Sequence, residues 1–118
     1  MIEHKPTQSW IDKTPLTIVN IGEFRFCLEY RSIEIQGQEI ELTAKEFDIL
    51  ALLILNPRRV FTYEMITDIV WKEEYDVCSK KTIINHISNL RRKLKTIPEV
   101  AANIKSVRSI GYKFDLAV

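Results

Sequence analysis

The sequence predicts an α+β domain in which an amino-terminal antiparallel sheet leads into a three-helix bundle and ends in a β-hairpin. Three observations predict it: apolar–polar alternation between Leu16 and Leu42, a helix-start signature at Thr43 to Glu46 followed by apolar residues at helical spacing, and two alternating runs on either side of Ser109. At 118 residues the chain has room for one such core and none for a second beside it.

Residues 1–15 show no periodicity, contain Pro6 and Pro15, and read as a tail or linker remnant, with the domain proper over 16–118. Thr17 to Ile21 is β-branched, Phe24, Phe26 and Leu28 alternate with polar or small residues, and so do Ile33 and Ile35. Gln36-Gly37-Gln38 supplies a tight turn into Glu39 to Leu42, giving three or four short antiparallel strands. Thr43-Ala44-Lys45-Glu46 has the spacing of a capping box, so a helix starts there, carries Phe47, Leu50 and Ile54 inward, and stops at Asn56-Pro57. Thr62 suits the cap of a short second helix whose Met65, Ile66, Ile69 and Val70 form a buried stripe ending at Trp71. Ser79 suits the cap of a third, in which Ile83, Ile87, Leu90 and Leu94 recur as one seam until Pro98 interrupts it. Ile104 to Val107 and Tyr112 to Leu116 flank Arg108-Ser109-Ile110-Gly111, a hairpin with Gly111 available for positive φ.

The hydrophobic share of 46% and charged share of 28% are those of a soluble globular chain, and the most apolar run, Ile49 to Leu55, is far too short to cross a bilayer. Without the basic-then-apolar order of a signal peptide at the amino terminus, the expected compartment is the cytoplasm, with no membrane partner. Cys27 and Cys78 stand alone and leave a single bridge open. His4 and His86 are equally isolated, so no metal site and no cofactor are expected. Nothing resembles a nucleophile with its base, a phosphate-cradling loop or an acid pair, so no enzyme is expected.

The formal net charge of +1 conceals an asymmetry. From Ser79 onward Lys80, Lys81, Arg91, Arg92, Lys93, Lys95, Lys105, Arg108 and Lys113 are opposed only by Glu99 and Asp115, whereas acids dominate the stretch before Ser79. With its seam inward, the third helix presents Thr82, Asn85, His86, Asn89, Arg92 and Lys93 outward, flanked by Lys80, Lys81, Ser88 and Arg91. Asn and Arg can form paired hydrogen bonds with base edges, Lys and Thr can meet phosphate, and a B-form major groove admits one helix. A merely solvated face would mix acids among its cations at i,i+4, yet none occurs between Ser79 and Ile97. In the hairpin Arg108, flanked by Lys105 and Lys113, can reach a minor groove or phosphate. The expected partner is double-stranded DNA; the alternative is a protein-interaction module of the same fold that binds no nucleic acid.

Five motifs carry a family resemblance. Leu42-Thr43-Ala44-Lys45-Glu46-Phe47, Arg59-Val60-Phe61-Thr62, Val70-Trp71, the frame from Lys81-Thr82-Ile83 to Leu90-Arg91-Arg92-Lys93-Leu94, and Val107-Arg108-Ser109-Ile110-Gly111-Tyr112 occur in the order and spacing of the OmpR/PhoB-type response-regulator effector domain. The chain resembles that family over about residues 16 to 116. The resemblance implies a winged helix-turn-helix that pairs head to tail on direct-repeat DNA. It implies base contacts from Asn85, Ser88, Asn89 and Arg92, backbone contacts from Trp71, Lys81, Thr82, His86 and Arg91, and a wing contact from Arg108. Lys72, Glu73, Glu74, Tyr75 and Asp76 fall where family members can contact RNA polymerase. Ser88 and Asn89 stand where the family is often basic, and Ile84 where it is commonly acidic. The family's amino-terminal receiver, with its phospho-accepting aspartate, is absent from this chain, which fits either a fragment of a longer regulator or a free-standing effector.

Overall fold

The alternation between Ile18 and Ile40 folds into a four-stranded antiparallel meander in the computed structural model, which describes residues 15–116. The tail expected over residues 1–15 therefore lies, apart from Pro15, outside the described residues. Strands β1 (Ile18–Ile21), β2 (Phe24–Cys27), β3 (Ser32–Ile35) and β4 (Gln38–Ile40) pair in sequence order. Ile35 pairs with Gln38 across a two-residue loop in which Gln36 and Gly37 hold φ of +56° and +78°. Two successive positive φ values match the right-handed twist of the flanking strands, which explains glycine at the second of them. Phe24, Phe26, Ile33 and Ile35 point to one face and are buried, and Phe26 stacks on Phe47 with ring centroids 5.2 Å apart.

Helix α1 (Ala44–Ile54) begins at the predicted capping box: the Glu46 amide donates to Thr43 Oγ1 at 3.2 Å, and the Thr43 amide to Glu46 Oε1 at 2.9 Å. It is the central core helix, with Phe47, Ile49, Leu50, Leu53 and Ile54 buried. Helix α2 (Tyr63–Ile66) is capped by Thr62 and runs on into a π-helical turn over Thr67–Trp71. The expected stripe holds only in part: Ile66 and Val70 are buried, with Tyr63 and Thr67 completing a row at i, i+3, i+4 and i+7, but Ile69 lies off that row and is 44% exposed.

Helix α3 (Ser79–Lys93) buries Ile83, Ile87 and Leu90, with Leu94 buried just beyond its end, as the seam predicts. Its start differs from expectation. Ser79 is the first helical residue rather than a cap, the preceding Cys78 makes no side-chain cap bond, and Asp76 closes a turn ahead of the helix, its Oδ1 accepting from the Cys78 amide at 2.8 Å while the Asp76 amide donates to Ser79 Oγ at 2.9 Å. The turn leaves a carboxylate near the positive end of the helix dipole. Pro98 opens a further helical turn, α4 (Pro98–Ala101), where proline needs no amide partner. Cys27 is buried and Cys78 exposed, and both are free, so the single bridge that the sequence left open is not formed.

The carboxy-terminal hairpin, β6 (Ile104–Val107) and β7 (Gly111–Phe114), gains a third strand that the sequence did not announce: β5 (Phe61–Thr62) pairs with β7, placing β7 in the centre. Gly111 is needed for a different reason from the one expected. The positive φ of the turn belongs to Ser109 at +61°, whereas a Cβ on Gly111 would run into the Phe61 carbonyl and lie 2.8 Å from Thr62 Cα. Gly111→Ala should therefore destabilise the fold by about 3 kcal/mol, at the upper end of overpacking costs, read as a lower urea midpoint.

Candidate nucleic-acid interface

A seam spaced at i, i+4, i+7 and i+11 fixes which way every other residue of α3 faces. Asn85, Ser88, Asn89 and Arg92 are all exposed, on the side away from Ile83, Ile87 and Leu90, so the four residues expected to face bases share one surface. Arg92 Nη2 donates to Asn89 Oδ1 at 2.9 Å. Because guanidinium only donates, this bond sets the Asn89 amide with its NH₂ outward, and the pair offers mainly donors. Asn85 keeps both functions of its amide for a partner.

The flanks are more structural than the sequence suggests. Lys93, read as part of the outward face, turns inward instead: its Nζ lies 2.7 Å from Glu46 Oε1, a carboxylate whose residue is only 3% exposed. It stands about a quarter-turn from the outward pole, where α1 packs. Burial raises the Glu46 carboxyl, but Lys93 and the Thr43 cap outweigh burial and hold it below its usual value near 4.5. Arg91, expected on the DNA backbone, points to the hairpin. Its Nε and Nη2 donate to the Ile104 carbonyl at 3.1 Å and 2.5 Å, Nη2 reaches Ser106 Oγ at 3.4 Å, and the guanidinium lies 5.6 Å from the Tyr112 ring centroid.

On the opposite flank Trp71 is half-buried and meets His86 edge-on, centroids 5.1 Å apart, with Lys45 Nζ 5.7 Å from the indole. That ammonium also donates to the Val70 carbonyl at 3.0 Å, closing the end of the second helical segment. His86 Nδ1 lies 2.8 Å from the Thr82 carbonyl. A carbonyl only accepts, so Nδ1 carries a hydrogen, and Nε2 can donate to phosphate only from the doubly protonated ring. The Thr82 hydroxyl donates back to the Cys78 carbonyl at 3.0 Å.

In the hairpin, Arg108 is exposed at the turn and, among the described residues, has no acidic partner. Lys105 and Lys113, grouped with it from sequence, part company with it. They are cross-strand partners gathered on Asp115, at 3.9 Å and 3.8 Å. Strand alternation puts them on the face opposite Ser106 and Tyr112, and so away from α3. Among the described residues, Lys80, Lys81, Arg91, Arg92, Lys95 and Arg108 are the late cations without a carboxylate partner. Lys80 Nζ lies 5.2 Å from the Tyr63 ring centroid.

The segment between α2 and α3 leaves through Lys72 at φ +57° and keeps Lys72, Glu73, Glu74, Tyr75 and Asp76 exposed. Asp76 belongs to the turn described above, ahead of α3. Among the described residues no group of His, Cys, Asp and Glu could hold a metal ion, and no helix is long and apolar enough to cross a membrane.

A sheet, a helical bundle with one exposed polar and cationic helix, and a hairpin tied beside that helix define a winged helix-turn-helix domain. The chain belongs to the family described as transcriptional regulatory protein, C terminal, whose model matches residues 37–114. It is 34% identical over 98 residues to the sensory transduction protein RegX3 of Mycobacterium tuberculosis, covering 83% of this chain and 43% of that protein. It is also 34% identical over 97 residues to the heme response regulator HssR of Staphylococcus saprophyticus, covering 82% and 42%. The chain thus spans less than half the length of these curated relatives. Among solved structures it resembles the DNA-binding domain of CpxR from E. coli, with TM-score 0.70, 27% identity, and 86% and 99% of the two chains covered. The DNA-binding domain of Bacillus subtilis CssR gives TM-score 0.65 and 28% identity over 76% and 97%.

Glu46→Ala should lower stability by about 3 kcal/mol at neutral pH, because it leaves Lys93 half-buried without its carboxylate and removes half of the capping box. A carboxyl held below its ordinary value stabilises above that value, so its contribution disappears as pH falls through the folded value. The gap between wild type and variant, followed by denaturant titration at several pH values, should accordingly close in acid.

Proposed function

We propose that the chain binds double-stranded DNA sequence-specifically, as the effector domain of a two-component-type transcriptional regulator, over residues 16–118. Helix α3 enters the major groove, and the hairpin meets the adjacent backbone or minor groove as a wing. The observation that carries this reading is the single surface of α3 on which Asn85, Ser88, Asn89 and Arg92 are exposed between cations that lack carboxylate partners. Polar groups able to read base edges, framed by charges able to meet phosphate, are what a helix in the major groove requires. Family membership supports the reading, as do the DNA-binding domains of CpxR and CssR among the similar structures.

Within it, Asn85, Ser88 and the Asn89–Arg92 pair face bases. Lys80 and Lys81 at the start of α3, and Trp71, Thr82 and His86 on its flank, face the sugar-phosphate backbone. Arg108 is the wing contact. Arg91 holds the wing against α3 rather than serving as a primary phosphate contact. Two copies bind head to tail on a direct repeat, and the exposed acidic segment Lys72 to Tyr75 is offered to RNA polymerase.

Selection of bound sites from random duplexes should recover a short direct repeat. Affinity for it should fall steeply with salt, the log–log slope approaching 0.9 per contacted phosphate. Binding that is absent or indifferent to salt would instead favour the protein-interaction module. Arg108→Ala should weaken all sequences alike and reduce the slope by about 0.9, whereas Asn85→Ala should cost about 1–3 kcal/mol of discrimination at one base pair and leave the slope unchanged.

A further inference from the structure

One side chain on the outer part of α3 has the wrong chemistry for a solvated or phosphate-binding face. Ile84 lies outside the buried seam and is 40% exposed. It stands about 100° round the helix from Ile83, on the flank nearer the hairpin. Its same-face neighbours at i−4, i−3, i+4 and i+7 are Lys80, Lys81, Ser88 and Arg91, with the buried Ile87 at i+3 on the core side. An apolar side chain ringed by cations and a hydroxyl makes a poor floor for an apolar protein surface, because docking one would strip water from the surrounding charges. It does match a DNA groove, in which a thymine 5-methyl group projects from the base edge between two rows of phosphates.

We infer that Ile84 is a specificity-determining residue that packs on the C5-methyl group of a thymine, adding an apolar contact to the hydrogen-bonding set of Asn85, Ser88 and the Asn89–Arg92 pair. The inference rests on the DNA-binding reading and deepens it. The discrimination is between thymine and bases lacking that methyl, and the contact leaves the charge of the interface unchanged. Ile84 cannot donate or accept a hydrogen bond, so it adds nothing to phosphate binding and nothing to the salt dependence.

The test uses the whole chain and a duplex recovered by site selection, with each thymine replaced singly by deoxyuridine, which keeps the Watson–Crick edge and removes only the methyl group. For the wild-type chain, one replacement per half-site should weaken binding about fourfold, the worth of one buried methyl-sized group. Ile84→Ala should bind the thymine duplex weaker by a similar factor, and the same deoxyuridine replacement should then cost it nothing. Salt slopes should be equal for both proteins. Ile84→Ala replaces an exposed residue by a better helix former, so the fold is retained. Overturning results are a wild-type chain that tolerates every deoxyuridine, or a deoxyuridine penalty that persists undiminished in Ile84→Ala. Either would leave the DNA-binding reading standing, whereas a wild-type chain that bound no duplex would remove both.

Discussion

The setting of α3 depends on one carboxylate. Glu46 accepts the Thr43 amide at the start of the central helix and the Lys93 ammonium at the end of α3 through the same oxygen, so one buried group fixes both helices. The two helices share a core of Leu50, Leu53, Ile83, Ile87 and Leu90, whose packing is strong but not directional. The ion pair supplies direction. It stops α3 from sliding along its axis or rolling about it, and either motion would change which residues face outward. Isolated in the core, such a charge would cost several kcal/mol, and it is tolerated because the Thr43 amide and the Lys93 ammonium both donate to it.

The hairpin is held by the opposite flank of the same helix. Arg91 reaches the Ile104 carbonyl and the Ser106 hydroxyl and lies over Tyr112, which in turn meets Tyr63 edge-on at 5.8 Å between centroids. The close approach of β5 at Gly111 adds a backbone tie. A hairpin of two short strands is marginal in isolation. Here the third strand and the guanidinium give it a fixed distance from α3, so Arg108 is presented at a defined place relative to Asn85 and Asn89. Lys93 and Arg91 are cations by sequence and braces by position.

That distinction marks where sequence stopped being sufficient. A period of 3.6 over Ile83, Ile87, Leu90 and Leu94 made the outward pole of α3 legible, and Asn85, Ser88, Asn89 and Arg92 are exposed as read. It says nothing about what packs on the two sides, and Lys93 and Arg91 both lie there. The capping box at Thr43 was legible because both of its bonds are local, whereas Ser79 has the residue type of a cap but lies inside the helix, its hydroxyl taken by the Asp76 amide. The two residues of β5 pair only because the chain returns fifty positions later, a contact without local signature. The π-helical turn left no local signature either. Ile84 was visible from the beginning as an apolar residue off the seam, and reading it needed the exposure that the fold supplies.

The partition of cations bears on selectivity for the proposed partner. Sequence-independent affinity for a duplex grows with every cation brought to a phosphate, and it grows equally for wrong sites. Lys93, Lys105 and Lys113 are drawn onto carboxylates and Arg91 onto a backbone carbonyl, which removes them wholly or partly from that attraction. What remains at the pole of α3 is mostly uncharged: two asparagines, a serine, and an arginine whose guanidinium is hooked to one of the asparagines. Such a surface gains less from any polyanion and more from a matching pattern of base edges. A chain of nearly neutral formal charge, with a few cations left at the rim of one polar face, thereby favours the ratio of specific to non-specific binding over raw affinity. On the proposed reading, adjacent pairing of two copies on a repeat would supply through multivalency affinity that charge does not.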